Sequence, residues 1–430
     1  MKNLVICAYS VYPEDRTSEG IVNKNWVDII NVDNVAPSVV LSSNKVVSVT
    51  QKSSGDYQVT NKPDFLLEKA KSALKSKKGV PGLLFRVLNW IFLRLSIFPK
   101  ESNLFNFIWI SKQSKGLKQL SETDTEYVYW ARILPTITLA PFLKIQKNIP
   151  LVINVNDPVE NLDYCRNIFA HTKNSAQCWT FPSKRLSQKI AQQYDLDPAR
   201  CFVVPHAMRK QQNIFMMKKS AGEKLRFLYT GTFYKSAFTN SFMDQLKNFG
   251  SDAFANQVEF VFVLSQYDDQ SIEWLKEAIP NVVLFFNLTR EEVFEEINQA
   301  HCMLVVDSQG HTDLLKGKLM EAISFGLPVF SISYQDSVMD KVVSEYGSFS
   351  AYQEIENDIF EKLKLAFVNL SDLNWCEQFY KQREIVMEKA SEESIRKMTF
   401  QISEYAHQRF LHLQGKRDAM PQVLTHLNWP

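Results

Sequence analysis

The residues from His311 to Glu321, followed by Gly326 and Pro328, gather more chemistry than any other stretch of the chain. The periodicity predicts a helix over 318–325, with Gly317 at its start. There free N–H groups and the helix dipole favour an anion. Lys318 adds a mobile ammonium that can meet a phosphate. Glu321 lies three residues on, on the same face and one turn deeper, where a carboxylate can accept both hydroxyls of a ribose. Asp313 precedes Glu321 by eight positions across the loop–helix junction, so both carboxylates can border one pocket. Gly326 sits where a C′ glycine ends a helix, and Pro328 prevents continuation. The plain alternative is an amphipathic helix with Leu319, Ile323 and Phe325 inward and an ordinary Gly–Pro stop.

Strands must carry this loop. Leu225–Thr230 reads as a strand with Gly231-Thr232 as the turn after it. Further strands are expected at 258–264, 282–286, 302–306 and 328–332, with helices at 236–247, 271–278 and 290–299. Upstream, Leu4–Ala8 is the short continuous apolar run of a buried parallel strand. A polar loop reaching Gly20 and a helical pattern from Ile21 to Ile30 follow it. More strands are expected at 38–41, 46–50, 127–129, 151–155, 178–181 and 202–204, and from Ile355 to about Leu413 the chain reads as helix throughout. The fold class is therefore α/β, with two doubly wound domains and right-handed crossovers. Their ligand is expected in a cleft between the carboxyl ends of both sheets.

The 430 residues suit two domains of about 200 each, and 45% hydrophobic with 22% charged residues gives each a core. Only 13 residues are glycine, about 3% against the usual 7% or so, so each glycine is a candidate for a backbone position that tolerates nothing larger. Gly20, Gly231, Gly310, Gly317 and Gly326 fall in the loops expected to line or brace the cleft. Between Lys62 and Lys118, twelve cations face only Asp64, Glu68 and Glu101, a local +9 in a chain of net +2. That suggests an anionic partner at one face and argues against nucleic acid binding. The six scattered cysteines have no zinc or disulfide spacing and suit reduced thiols in the cytoplasm. Met1–Ala8 leads straight into a strand, so no signal peptide is expected. The longest apolar stretch, 83–98, contains Arg86, Asn89 and Arg94 and is shorter than the ~20 residues a span needs.

The window 313–329 resembles the nucleotide-sugar signature of retaining GT-B glycosyltransferases of the GT4-like family. In that signature two acidic residues flank seven others, and a Gly/Ser-Lys-Leu-x-Glu run leads into Gly-x-Pro-Val. Asp313 stands where the first acid is usually Glu. The resemblance implies a GT-B fold with two Rossmann-like domains. Residues 1–206, joined by a C-terminal helix at about 395–430, would hold the acceptor, and 207–394 the donor. It also implies Lys318 on the donor pyrophosphate, Glu321 on the ribose, and Asp313 near the donor sugar, these three being the catalytic candidates. Gly231 and Thr232 resemble the glycine turn facing the diphosphate, with Lys235 a second phosphate contact. The run 283–293, with Leu288, resembles the loop bracketing the base. His311, Gly317 and Leu319 complete the donor side, and Gly20 resembles the glycine loop that approaches the donor from the first domain. Pro135-Thr136 and Asn156-Asp157-Pro158 resemble acceptor-domain turns, the latter without the usual flanking Arg and Trp. Asp157 and His206 are the acceptor-side candidates.

The implied activity is transfer of a sugar from a nucleotide-diphosphate sugar, a UDP-sugar, to an acceptor hydroxyl of a surface glycan or lipid-linked glycan. Capsule or lipopolysaccharide synthesis in a bacterium is the implied setting. No histidine precedes His171, so no early general-base histidine exists, which favours retention. Asp268-Asp269 and Asp307 make no DxD-type site, so neither a metal nor another cofactor is expected. The aromatic, basic residues 79–118 admit two readings: a core helix with a solvated rim, or an interfacial helix on anionic lipid at the inner face of the cell membrane. A nucleotide-sugar epimerase of the same fold, and a non-catalytic GT-B protein that binds a glycan or partner, are the rival functions.

Overall fold

The opening apolar run forms strand β1 (Asn3–Ala8), buried from Leu4 onward because both faces of a central parallel strand are covered. The computed structural model describes residues 3–11, 18–31, 38–42, 45–51, 57–63, 80–95, 104–123, 125–133, 135–159, 162–206, 224–233, 237–250, 256–279 and 282–430. β1 pairs in parallel with β2 (Ser38–Leu41) on one side and with β5 (Tyr127–Arg132) on the other. Beyond β5 follow β6 (Leu151–Asn154), β7 (Cys178–Phe181) and β8 (Cys201–Val203), all parallel. The strand order reverses between β1 and β5, and ligands of doubly wound sheets gather at the carboxyl ends of the strands at such a switch. Helices α1 (Ser18–Ile30), α4 (Asp163–Lys173) and α5 (Lys184–Tyr194) link these strands. Ser183 caps α5 by accepting from the Leu186 amide.

The predicted strand at 46–50 is not part of this sheet. It is β3 (Lys45–Gln51), paired antiparallel with β4 (Tyr57–Pro63), a strand the sequence pattern did not reveal. Helices α2 (Val80–Arg94) and α3 (Leu104–Ser121) follow. α3 buries Phe105, Trp109 and Leu117, and Trp109 donates from its indole to the Ser42 carbonyl.

A second parallel sheet has the order β11-β10-β9-β12-β13-β14. Its strands are β9 (Leu225–Thr232), β10 (Val258–Gln266), β11 (Val283–Phe286), β12 (Cys302–Val306), β13 (Val329–Ser333) and β14 (Phe349–Tyr352). Here the reversal lies between β9 and β12. The connecting helices are α6 (Asn240–Gly250), α7 (Asp269–Ala278), α8 (Arg290–Gln299), α9 (Gly317–Phe325) and α10 (Val338–Glu345), with α11 (Asp358–Leu370) after β14. Aromatic rings fill the core: Tyr229 packs edge-on to Phe238 at 5.2 Å, and Phe227 edge-on to Phe330 at 6.0 Å. Thr289 and Glu292 form a reciprocal capping box that fixes the start of α8.

The expected continuous helix after Ile355 is three helices. α12 (Leu373–Lys389) starts at Asp372, whose side chain accepts from the Asn374 amide, and α13 (Glu392–Leu413) follows Ser391, which accepts from the Ser394 amide. Nor does helix extend over 395–430. α13 stops at Leu413, where the Gly415 and Lys416 amides turn back onto the His412 and Leu411 carbonyls. The tail then turns at Thr425–His426, where the Leu427 amide donates to the Leu424 carbonyl, and the Leu427 carbonyl accepts from the Val203 amide of β8.

By internal contacts the chain divides into one unit of Met1–Pro205 with Ile395–Trp429, and a second of His206–Ser394 with Pro430. In the first unit α13 is anchored by indoles. Trp26 donates to Thr399 Oγ1 at 3.2 Å, Trp130 donates to Ser403 Oγ at 3.0 Å, and the two rings lie 5.1 Å apart. The six cysteines are free thiols, and burial pushes Cys201 up to about 12, which makes it a poor nucleophile.

Candidate functional site

At the carboxyl end of the second sheet, β9 ends in Gly231-Thr232 and α9 begins at Gly317. Gly231 has φ +131°, a conformation closed to most side-chain-bearing residues, and a Cβ built there would lie 3.3 Å from Lys318 Cε. The end of β9 and the first turn of α9 therefore meet. Lys318 Nζ donates to Glu321 Oε2 at 3.1 Å, with the lysine side chain 46% exposed and the glutamate 14%. The N-cap residue of α9, Lys316, makes no side-chain cap bond, whereas Asp268, Thr289 and Ser337 cap α7, α8 and α10. An uncapped helix start, an ammonium and a carboxylate one turn deeper thus face one spot. At its other end α9 stops at Gly326, with φ +67°, where a Cβ would come 2.9 Å from the Arg383 guanidinium that donates to the Gly326 carbonyl. A Cβ built at Gly310 or Gly317 meets nothing within 4 Å, so no described protein atom requires glycine at either position.

The loop before α9 is clasped at its base. Asp307, directly after β12, is fully buried and accepts from the Ser308 amide at 2.8 Å and from Lys316 Nζ at 3.0 Å. Lys316 is the N-cap residue of α9, so the pair joins the first and last residues of the segment carrying His311 and Asp313. Burial raises the Asp307 pKa more than Lys316, the Ser308 amide and His311 lower it. Between them the chain makes a short 3-10 turn over Gln309–His311, and the Val338 amide of α10 donates to the Thr312 carbonyl. His311 is exposed and Asp313 half-buried. The pattern of residues pointed to Asp307 only as a poor metal ligand; its partner nine positions away was not anticipated.

No protein-family model matches the chain, and neither does the sequence of any curated protein. Solved structures do match. The α,α-trehalose-phosphate synthase (UDP-forming) from Burkholderia vietnamiensis superposes with TM-score 0.61 at 9% identity, covering 95% of this chain and 100% of that one. Trehalose-6-phosphate synthase from E. coli, bound with UDP-2-fluoro glucose, superposes with TM-score 0.61 at 7% identity over 94% and 99%. A mutant of S. aureus TarM in complex with fondaparinux, α-GlcNAc-glycerol and UDP gives TM-score 0.50 at 13% identity over 69% and 59%. With two six-stranded parallel sheets and near-complete coverage of the two synthases, the architecture is decided.

The chain has the GT-B fold.

Within this GT-B chain the other candidates are spread more widely. Leu288 is half-buried in the loop after β11, two strands from β9, so roughly 10 Å of sheet separates their lines. The preceding Asn287 has φ +53°, and its amide donates to the Leu264 carbonyl. Leu319 is buried in the core side of α9. Thr232 Oγ1 lies 3.4 Å from Ser265 Oγ, and the Thr232 carbonyl accepts from Tyr229 Oη at 2.6 Å. Lys235 lies outside the described residues. In the first unit, Gly20 is buried in the first turn of α1, and Asp157 is half-buried in the bend after β6. His206 opens the second unit and is half-buried. Among the described residues no group of three or more His, Cys, Asp or Glu side chains is arranged to hold a metal ion. Asp268 serves α7 instead, accepting from the Ser271 amide at 2.9 Å.

Within the basic region α3 keeps the core reading, with Phe105 and Trp109 buried, whereas α2 departs from it. α2 exposes Leu83, Leu84, Val87, Trp90, Ile91 and Leu95 on one side, at up to 60% for Trp90 and 65% for Leu95. On the opposite side Asn89 accepts from the Leu104 amide of α3. Arg94 lies over the Trp90 ring at 5.4 Å. Among the described residues no helix is long and apolar enough to cross a membrane.

Proposed function

We propose that the chain is a glycosyltransferase that moves a sugar from a UDP-sugar to an acceptor hydroxyl of a surface or lipid-linked glycan, with retention. The observation that carries this reading is the meeting of Gly231, Lys318 and Glu321 at the uncapped start of α9. The diphosphate would lie against the Gly231 and Thr232 backbone, the Gly317–Leu319 amides and the Lys318 ammonium. Those groups stabilise the charge that grows on the leaving group as the bond from the anomeric carbon breaks. Glu321 would part from Lys318 to accept the ribose hydroxyls, the loop at Leu288 would bracket the base, and His311 and Asp313 would border the sugar. The acceptor hydroxyl forms the new bond to the anomeric carbon and gives its proton to the departing phosphate oxygen. Residues 1–205 with 395–429 would hold the acceptor, with Asp157 as the candidate contact on that unit. The ligands bound in the similar structures, UDP-2-fluoro glucose and UDP, support a uridine donor.

Glu321→Ala tests the ribose contact. Two charge-assisted hydrogen bonds are lost, so UDP affinity by calorimetry is expected to fall by about tenfold to a hundredfold. Unchanged affinity would sink the assignment. Incubation with labelled nucleotide sugars separates the rivals: transfer or hydrolysis for a transferase, conversion to an epimer for an epimerase, binding without turnover for a non-catalytic protein.

We also propose that α2 lies on an anionic membrane. Its fifteen residues would form a bar about 22 Å long with the apolar side in the headgroup zone. The net +9 of residues 62–118 supports an anionic surface. The chain is expected to sediment with phosphatidylglycerol vesicles and much less with phosphatidylcholine alone. Leu83→Ser with Trp90→Ala should weaken that binding by roughly tenfold or more. Failure to bind either vesicle would return α2 to a surface for a protein.

A further inference from the structure

Arg132 ends β5, beside the switch point of the first sheet, and its side chain is only 4% exposed. Nε donates to Asn23 Oδ1 at 2.5 Å and Nη2 to Asn156 Oδ1 at 3.4 Å, and the guanidinium lies over the Trp26 ring at 4.6 Å. Both hydrogen-bond partners are neutral. Among the described residues no carboxylate forms an ion pair with it; Glu19 stands one amide away, accepting from Asn23 Nδ2 at 3.1 Å. Asn23 Nδ2 also donates to the Ser10 carbonyl at 2.7 Å, so Arg132 ties together the exits of β1 and β6 and the first turns of α1.

A guanidinium taken out of water without a counter-charge costs several kcal/mol, and an apolar side chain would pack the same space at no such cost. Burial lowers its pKa to about 10, with Glu19 opposing, which leaves it cationic at neutral pH. Neither asparagine engages Nη1, the arm that completes a bidentate fork for an oxyanion. The diphosphate of a donor already has Lys318 and the α9 start in the second unit, so this cation is surplus to that task.

We infer that Arg132 is the centre of an oxyanion subsite in the first unit, built for a phosphate carried by the acceptor. This deepens the transferase reading above and rests on it for the word acceptor. The probe is inorganic phosphate, titrated at matched ionic strength against chloride and followed by thermal shift and phosphorus NMR, with and without saturating UDP. Phosphate is expected to bind the wild type equally in both conditions. Arg132→Gln should weaken it by about tenfold or more while leaving UDP affinity unchanged. Arg132→Lys, which keeps the charge but not the fork, covers the case in which the glutamine variant fails to fold, and should bind phosphate more weakly than wild type. Displacement of phosphate by UDP would assign the group to the donor diphosphate and overturn the acceptor site. Phosphate binding that is absent, or unchanged in the variants, would reduce Arg132 to a brace between loops. Loss of UDP binding plays no part in these outcomes, so failure of the transferase reading is seen separately, in the Glu321→Ala titration.

Discussion

Replacing Lys318 by alanine is expected to slow sugar transfer by about a hundredfold to a thousandfold while the protein stays folded. The magnitude is that of removing one preorganised group that stabilises charge developing in the transition state. The structure argues against a purely structural cost. Among the described residues the ammonium bonds only to Glu321, three residues on in the same helix, and exposed pairs of that spacing contribute a few tenths of a kcal/mol. The melting temperature should therefore barely move. Steady-state kinetics with a UDP-sugar should place the loss mainly in kcat, because the α9 amides and the Gly231 backbone still hold the ground-state diphosphate. An unchanged kcat would remove Lys318 from the chemistry. Lys318→Arg should not restore full activity, because a planar guanidinium fork presents its donors differently from a compact ammonium.

The largest expected loss of stability lies in the first unit. Trp130 is fully buried, lies tilted against Trp26 and donates to Ser403 of α13. Trp130→Ala should cost about 3–5 kcal/mol through the cavity it leaves, and Ser403 would lose its indole donor while keeping its own bond to the Thr399 carbonyl. Urea denaturation followed by signals from each unit should show the transition of the first unit moving to lower denaturant. The second unit, which contains none of these contacts, should unfold where it did before. A common shift of both would mean that the chain unfolds as one cooperative body.

Much of this was legible in the residue pattern, and for definite reasons. Parallel strands buried on both faces read as short apolar runs, so β9, β10, β12 and β13 stood out, and the glycine–lysine–glutamate spacing of α9 located the site candidate. β4 was illegible because Asn61, Lys62 and Pro63 end it in residues that strands disfavour, as suits a hairpin outside the main sheet. β14 is a four-residue edge strand, too short for a pattern. The Asp307–Lys316 pair joins residues that only the loop's path brings together. The apolar spacing of α2 is the same for a core helix and for a surface one, and only the packing of its neighbours distinguishes them. Arg132 was missed altogether, since a single arginine at a strand end carries no signal until its surroundings prove neutral.

The first unit is assembled from both ends of the chain, with Ile395–Trp429 packed onto residues that precede Pro205. During synthesis this inverts the usual order. His206–Ser394 can close its own sheet and core as soon as it leaves the ribosome, whereas Trp26 and Trp130 must wait for Thr399 and Ser403. The unit whose strands are made earlier is thus the later one to finish folding, and until Thr399 and Ser403 arrive its indoles remain a surface for chaperones to hold.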